Sequence, residues 1–175
     1  MTDTSHKRLI IDLAKCDQCE RCGVSCNYYN RPHAQDHGML GLREKATFML
    51  ICRRCEHASC VIACPFGAIE RQIDGPDRGV IKRYNLRCVS CKSCAHACPF
   101  GTIYTDMLPY YENHCDGCLS PGSEAQPLCV TSCAQGALEY RAVDGAEENV
   151  HILDERLAAR VGQSATRWIK NEVSA

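Results

Sequence analysis

The sequence lacks the features that mark several common classes of protein. It contains no apolar run of about 18 or more residues, which excludes a transmembrane helix. Residues 1–15 hold no apolar region long enough for a signal peptide and no twin arginine, so we expect no export signal. Lysine and arginine number 20 against 21 acidic residues, so we expect no broad basic surface for nucleic acid. These absences predict a cytoplasmic protein that binds neither nucleic acid nor membrane.

Ordinary core-forming residues are also scarce. Aromatic residues make up 6% of the chain, and the hydrophobic fraction of 45% falls to about 36% when its 16 cysteines are set aside. So thin an apolar core requires cross-links or bound metal for stability. The sequence shows no Ser/His/Asp arrangement and no G-x-G-x-x-G motif after a predicted strand. We therefore expect no catalytic residues in this chain.

What the sequence holds in excess is cysteine, ordered in four quartets. The spacings are C-x2-C-x2-C-x3-C in the first and third quartets, C-x2-C-x4-C-x3-C in the second and C-x2-C-x10-C-x3-C in the fourth. In chain order the quartets are Cys16, Cys19, Cys22, Cys26; Cys52, Cys55, Cys60, Cys64; Cys88, Cys91, Cys94, Cys98; and Cys115, Cys118, Cys129, Cys133. The last cysteines of quartets two, three and four precede the similar segments PFGAIE, PFGTIY and AQGALE. The chain therefore contains an internal repeat.

The spacing indicates iron–sulfur chemistry. Three cysteines on one tight loop can bind three iron corners of a cubane, and the fourth corner then needs a more distant thiolate. A structural zinc site uses four ligands in two C-x2-C pairs, so a third cysteine so close to the second would be wasted. Disulfides are disfavoured by a reducing compartment and by geometry. The sequence thus predicts four [4Fe–4S] clusters, with all sixteen cysteines as iron ligands.

Cysteine count, order and gap sizes together resemble the four-cluster ferredoxin-type electron-transfer subunits. Members of this family partner molybdenum or tungsten oxidoreductases, formate dehydrogenases, dimethyl sulfoxide reductases, nickel hydrogenases and CO dehydrogenases. The resemblance spans about residues 16–139. It implies an α+β fold of two nested bacterial-ferredoxin-like lobes with small β-hairpins and short helices. The outer lobe would comprise residues 1–45 and 105–145, and the inner lobe residues 46–104.

The resemblance also implies how the quartets share clusters. Quartets one and four would exchange their last cysteines, and so would quartets two and three. The implied ligand sets are Cys16, Cys19, Cys22 with Cys133; Cys115, Cys118, Cys129 with Cys26; Cys52, Cys55, Cys60 with Cys98; and Cys88, Cys91, Cys94 with Cys64. Proline is missing after Cys26 and Cys133, which departs from the family pattern but removes no ligand.

The function implied is non-catalytic electron transfer within an oxidoreductase complex. Electrons would pass between a catalytic tungsten, molybdenum-pterin or nickel subunit and an acceptor such as a flavin subunit. The Arg- and Ala-rich composition suggests a GC-rich bacterial genome, which among the members of this family favours the polyferredoxin subunit of a tungsten aldehyde oxidoreductase. The alternatives are a subunit linked to hydrogenase, formate dehydrogenase or CO dehydrogenase, a free polyferredoxin shuttle, and a structural zinc protein.

Local patterns predict the elements around the quartets. Alternating residues predict a strand over 7–15, and short apolar runs are expected to form further strands over 47–51 and 79–84. Gly67, Gly101 and Gly136 are expected at turns that need a left-handed backbone or close approach, and residues 29–41 are expected to form a loop.

We expect residues 150–175 to form a C-terminal helical extension. Leu153, Leu157 and Val161 begin an apolar stripe at helical spacing, and Asp154 is placed to cap the helix. The stripe would pack on the body of the chain, dock on a partner subunit, or mediate self-association with a second copy.

Overall fold

The computed structural model describes residues 7–19, 22–25, 34–74, 78–103, 126–143 and 147–162. The strands and helices are short, with one exception of 18 residues. In chain order they are β1 Lys7–Asp12, α1 Leu13–Cys16, α2 Ala34–Ile51, α3 Ser59–Ile62, β2 Ile69–Arg71, β3 Ile81–Arg83, a 3-10 helix Asn85–Arg87, α4 Ser93–Ala97, α5 Leu128–Ser132, β4 Leu138–Ala142, β5 Val150–Ile152 and β6 Leu157–Arg160. The expected α+β class is confirmed.

The larger sheet joins segments from opposite ends of the described chain. Its strand order is β4-β1-β6-β5, with β1 antiparallel to β4 and parallel to β6. Leu9 pairs with Tyr140 on one side and with Leu157 on the other. The predicted strand at the start of the chain is confirmed over Lys7–Asp12. Ile10 and Ile11 are both fully buried, so β1 is covered on both of its faces.

Helix α2 covers one face of this sheet. Its buried residues Leu42, Ala46, Met49 and Leu50 recur at helical spacing and belong to one core cluster with Ile11 and neighbouring strand residues. The expected loop over residues 29–41 is therefore wrong from Ala34 onward, and the strand expected over residues 47–51 is wrong because these residues end α2. Pro32 and several histidines favoured the loop, and its segment also contains two glycines, Gly38 and Gly41. Packing against the sheet offsets a helix cost of about 1 kcal/mol for each glycine.

A two-stranded antiparallel hairpin of β2 and β3 forms the second sheet. Ile69 and Ile81 from these strands pack with Ala58, Cys94 and Ile103 in a separate core cluster. The strand expected over residues 79–84 is confirmed as Ile81–Arg83.

The C-terminal helix predicted over residues 150–175 is wrong where the structure describes it. Residues Val150–Ile152 and Leu157–Arg160 are strands, and residues 163–175 lie outside the described part. Asp154 does accept backbone hydrogen bonds as a cap would, from the N–H groups of Arg156 at 2.8 Å and Leu157 at 2.7 Å. The segment after Asp154 then forms the extended strand β6, because β6 fills the space between β1 and β5.

The apolar residues of the segment mispredicted as a helix are used within the body of the chain. Leu157, Ala159 and Val161 belong to the core beneath α2, whereas Ala158 packs in a separate cluster with Ile10. Their alternation has the period of two that a strand requires. The described residues of the stripe therefore do not form a surface for a partner or a second copy.

An ion-pair network ties the larger sheet together beside the core. Arg160 of β6 holds Glu139 of β4 in two contacts, of 2.6 Å and 3.3 Å. Arg141 bonds both Glu139 and Glu147, at 2.9 Å and 2.7 Å. Hydrogen bonds from Arg160 lower the pKa of Glu139 to about 2.

In the part of the chain that the structure describes, no helix is long and apolar enough to cross a lipid bilayer.

Candidate metal centres

Three cavities bring together cysteines that lie far apart in the sequence. Each is lined by three cysteines of one quartet and the last cysteine of a different quartet. The sets are Cys16, Cys19, Cys22 and Cys133; Cys52, Cys55, Cys60 and Cys98; and Cys64, Cys88, Cys91 and Cys94. We call these cavities A, B and C. Cavities B and C are small and nearly equal in size.

Single turns of helix place neighbouring cysteines in different cavities. Cys60 lies in α3 and lines cavity B, whereas Cys64 follows the end of α3 and lines cavity C. Cys94 lies in α4 and lines cavity C, whereas Cys98 caps α4 and lines cavity B. Four residues of helix rise about 6 Å, so each x3 gap is long enough to reach from one cavity to the next.

The fourth quartet uses the same device in α5. Cys133 ends α5 and lines cavity A, one helical turn after the buried Cys129. Cys26, Cys115 and Cys118 lie outside the described residues. The structure therefore places thirteen of the sixteen predicted ligands and brings twelve of them together in three sets of four.

A tight turn follows the last cysteine of each of the three described repeats. Gly67, Gly101 and Gly136 have φ of 56°, 61° and 57°, in the left-handed region that the sequence predicted for them. Each glycine N–H donates to the carbonyl of the cysteine three residues earlier, at 3.1–3.4 Å. The turn also directs a backbone N–H at sulfur, from Ala68 to Cys64 and from Ala137 to Cys133, each at 3.3 Å.

Three residues inside the cysteine loops adopt the left-handed conformation without being glycine. They are Arg54, Ser90 and Lys92, with φ of 49°, 56° and 66°. Arg54 and Ser90 occupy equivalent positions, each directly before the second cysteine of its quartet. The Arg54 N–H donates to the sulfur of Cys52. Backbone held in such a region costs energy and occurs mainly at functional sites, where it aims donors at a bound group.

Burial and hydrogen bonding separate the thiols into two groups. Burial, helped by the neighbouring Cys133, raises the pKa of Cys16 to about 11, and burial raises the pKa of Cys60 to about 11 as well. Burial also raises the pKa of Cys52 and Cys94. Because a thiol must lose its proton to bind iron, filling these sites releases protons.

Hydrogen bonds lower the pKa of two other cysteines. Hydrogen bonds from the side chain and backbone of Ser93 lower the pKa of the exposed Cys91, with the two side-chain atoms 3.4 Å apart. Burial acts to raise the pKa of Cys98, but donors from Thr102 and from the backbone of Phe100 and Gly101 outweigh it and lower that pKa. Sequence reasoning missed Ser93 and Thr102. Alignment of the repeats gives the signal for Thr102, since Ala68 and Ala137 occupy its position elsewhere.

Each cavity is lined by one basic side chain. Arg43 from α2 lines cavity A, Arg53 lines cavity B and lies 5.9 Å from the Phe100 ring, and Lys92 lines cavity C. Cations so placed favour an anionic group. Arg43 also pairs with Glu44 at 3.0 Å, and Arg87, which lines none of the three cavities, pairs with Glu70 at 2.9 Å.

The donor chemistry of the cavities fits clusters. Sulfur is their shared ligand atom, and the described residues contain no group of three or more His, Cys, Asp or Glu side chains placed to hold a single metal ion. The cysteines of each set surround a space instead, as ligands to four different iron atoms must.

Residues 43–143 match the family described as the 4Fe-4S dicluster domain. The protein is similar to the NADH-dependent phenylglyoxylate dehydrogenase subunit beta of Aromatoleum evansii, with 31% identity over 143 residues, which are 78% of this sequence and 30% of that one. Identity to one chain of the anaerobic dimethyl sulfoxide reductase of Escherichia coli K12 is 28% over 162 residues, which are 81% of this sequence and 76% of that one. Identity to the thiosulfate reductase electron transfer subunit of Salmonella typhi is 29% over 157 residues, which are 82% and 80% of the two sequences.

Proposed function

Since this chain belongs to the family of 4Fe-4S dicluster domains, we propose that it carries four [4Fe–4S] clusters and relays electrons for a separate catalytic subunit. The chain is an iron–sulfur protein of the ferredoxin type. Its relatives are named as chains or subunits of oxidoreductases, one of them explicitly as an electron transfer subunit. The chain accordingly has the electron-transfer role in such a complex and not the catalytic one.

The observation that carries the proposal is the exchange of cysteines between cavities B and C. Cys98 of quartet three completes the set in cavity B, and Cys64 of quartet two completes the set in cavity C. Cavity A holds Cys133 in the same way. By the symmetry of the repeat, Cys26 would complete a fourth set with Cys115, Cys118 and Cys129.

The arrangement of strands supports two nested lobes. Residues 46–104 would form the inner lobe around the β2–β3 hairpin and cavities B and C. Residues 1–45 and 105–145 would form the outer lobe, because β1 pairs with β4 across the inner segment of the chain. Residues 150–162 add β5 and β6 to the outer lobe.

Each cluster, when bound, takes up and gives back a single electron. The protein contributes position, charge and exclusion of water. Helix α3 separates Cys60 of one ligand set from Cys64 of the next by about one turn, and α4 separates Cys94 from Cys98 in the same way. Ile69, Ile81 and Ala58 form an apolar wall beside cavities B and C, which lowers the local dielectric. Backbone N–H donors and the lining cations then set the reduction potential.

The complex that this chain serves is a proposal drawn from its relatives. Their names include dimethyl sulfoxide reductase and thiosulfate reductase, so we propose a molybdenum- or tungsten-pterin catalytic partner. The aldehyde oxidoreductase with a flavin subunit, located in the cytoplasm, remains the specific case favoured by composition. Links to hydrogenase, formate dehydrogenase or CO dehydrogenase are the alternatives, as is a free polyferredoxin shuttle.

The experiment is multi-element metal analysis of the chain isolated from its native host under anaerobic conditions with whatever binds it. We expect about sixteen iron atoms per copy of this chain, as four cubanes require, together with tungsten or molybdenum. Nickel in their place would move the proposal to a hydrogenase or CO dehydrogenase partner. Iron without a co-purifying subunit would favour the free shuttle, and zinc without iron would overturn the proposal.

A further inference from the structure

The fourth residue after the last cysteine of a quartet differs among the described repeats. It is alanine in two repeats, Ala68 and Ala137, and threonine in the third, Thr102. The backbone N–H donates to the cysteine sulfur in both alanine repeats. At Thr102 the side-chain Oγ1 also lies 3.3 Å from the sulfur of Cys98.

The burial of this hydroxyl strengthens its effect on the sulfur. Thr102 is only 8% exposed, one of two buried polar residues in the described chain. A hydrogen bond in such surroundings is screened little by water and acts strongly on the charge it meets. When Cys98 binds iron as a thiolate it has no proton to donate, so the Thr102 hydroxyl must be the donor. A second hydroxyl close to a described ligand sulfur, Ser93 Oγ, lies 3.4 Å from the exposed sulfur of Cys91, where water competes with it.

We infer that Thr102 sets a raised reduction potential at the cluster held by Cys52, Cys55, Cys60 and Cys98 in cavity B. The inference rests on the proposed function. A hydrogen bond donated to a ligating sulfur stabilises the reduced cluster more than the oxidised one, because reduction adds negative charge. In the equivalent turns at Ala68 and Ala137 no side-chain donor is possible. Cavity B would therefore hold electrons preferentially over the sites completed by Cys64 and Cys133.

Substitution of Thr102 in the full-length protein tests this inference. Thr102→Val keeps the shape of the side chain and removes the donor, and Thr102→Ala installs the residue that the other repeats use at this position. Thr102→Ser is the matched control because it keeps the hydroxyl. The readout is the set of cluster midpoint potentials, measured by anaerobic redox titration followed by EPR, with iron counted in each sample.

We expect Thr102→Val and Thr102→Ala to lower one of the four potentials and to leave three unchanged. A tenfold loss in the ratio of reduced to oxidised cluster would correspond to about 59 mV for a one-electron couple. Thr102→Ser, which keeps the hydroxyl, should leave that potential close to its wild-type value. Unchanged potentials in variants with full iron content would overturn this inference and leave the proposed function standing. A wild-type chain that does not bind about sixteen iron atoms would instead overturn the proposed function.

Discussion

Backbone conformation at single residues shapes the cysteine loops. The three glycines after the last cysteines have a left-handed φ, which the sequence predicted because the same glycine recurs in each repeat. Arg54, Ser90 and Lys92 have the same conformation, and nothing in their chemistry predicts it. At Arg54 this conformation points the backbone N–H toward the sulfur of Cys52, which only the folded loop reveals.

Replacement of Gly67 by alanine tests the turn at the residue scale. A Cβ at Gly67 would meet no atom within 4 Å, so the cost is purely that of a left-handed alanine. We expect a loss of about 1–2 kcal/mol, measured as a lower midpoint in anaerobic thermal unfolding followed by circular dichroism. Gly23→Ala is the matched control, since Gly23 also has open space around it but no positive φ. Its effect should stay within about 0.5 kcal/mol. Equal losses for the two variants would show that backbone conformation is not the cause.

Some helices and strands are determined by the sequence of their own segment, and others by tertiary packing. Strands β1 and β3 could be predicted, because their determinants lie within the segments themselves. Helix α2 and strand β6 could not, because tertiary packing decides both. The spacing of Leu153, Leu157 and Val161 suits a helix, yet β1 and β5 leave between them a space that only an extended segment fills.

A substitution in β6 measures how tightly this strand is packed. Ala159 is fully buried and pairs with Ile11 in the centre of the sheet. Ala159→Leu should lower the free energy of unfolding by about 1–3 kcal/mol through overpacking, read from the same thermal unfolding experiment. Glu155→Leu adds the same side chain at an exposed position before β6 and should change stability by less than about 0.5 kcal/mol. If this segment instead formed a helix outside the sheet, both substitutions would leave the stability nearly unchanged. That outcome would contradict the sheet described here.

At the scale of the whole molecule, the fold places cysteines of different quartets around the same cavity. The quartets and their chemistry could be predicted from spacing alone. The exchange of last cysteines followed only from resemblance to a family, because no local pattern says which distant sulfur completes a set. In the structure, the one-turn helices α3 and α4 perform the exchange between cavities B and C.

The most direct test of the central claim compares two double variants that each remove two cysteines. Cys55→Ala with Cys98→Ala removes two ligands of cavity B, whereas Cys55→Ala with Cys64→Ala removes one ligand from each of cavities B and C. The measurement is the number of intact [4Fe–4S] clusters per polypeptide, from EPR spin quantification after full anaerobic reduction. Exchange of last cysteines predicts about three intact clusters in the first variant and about two in the second. The reverse result, two in the first and three in the second, would mean that each quartet binds its own cluster and would contradict the account.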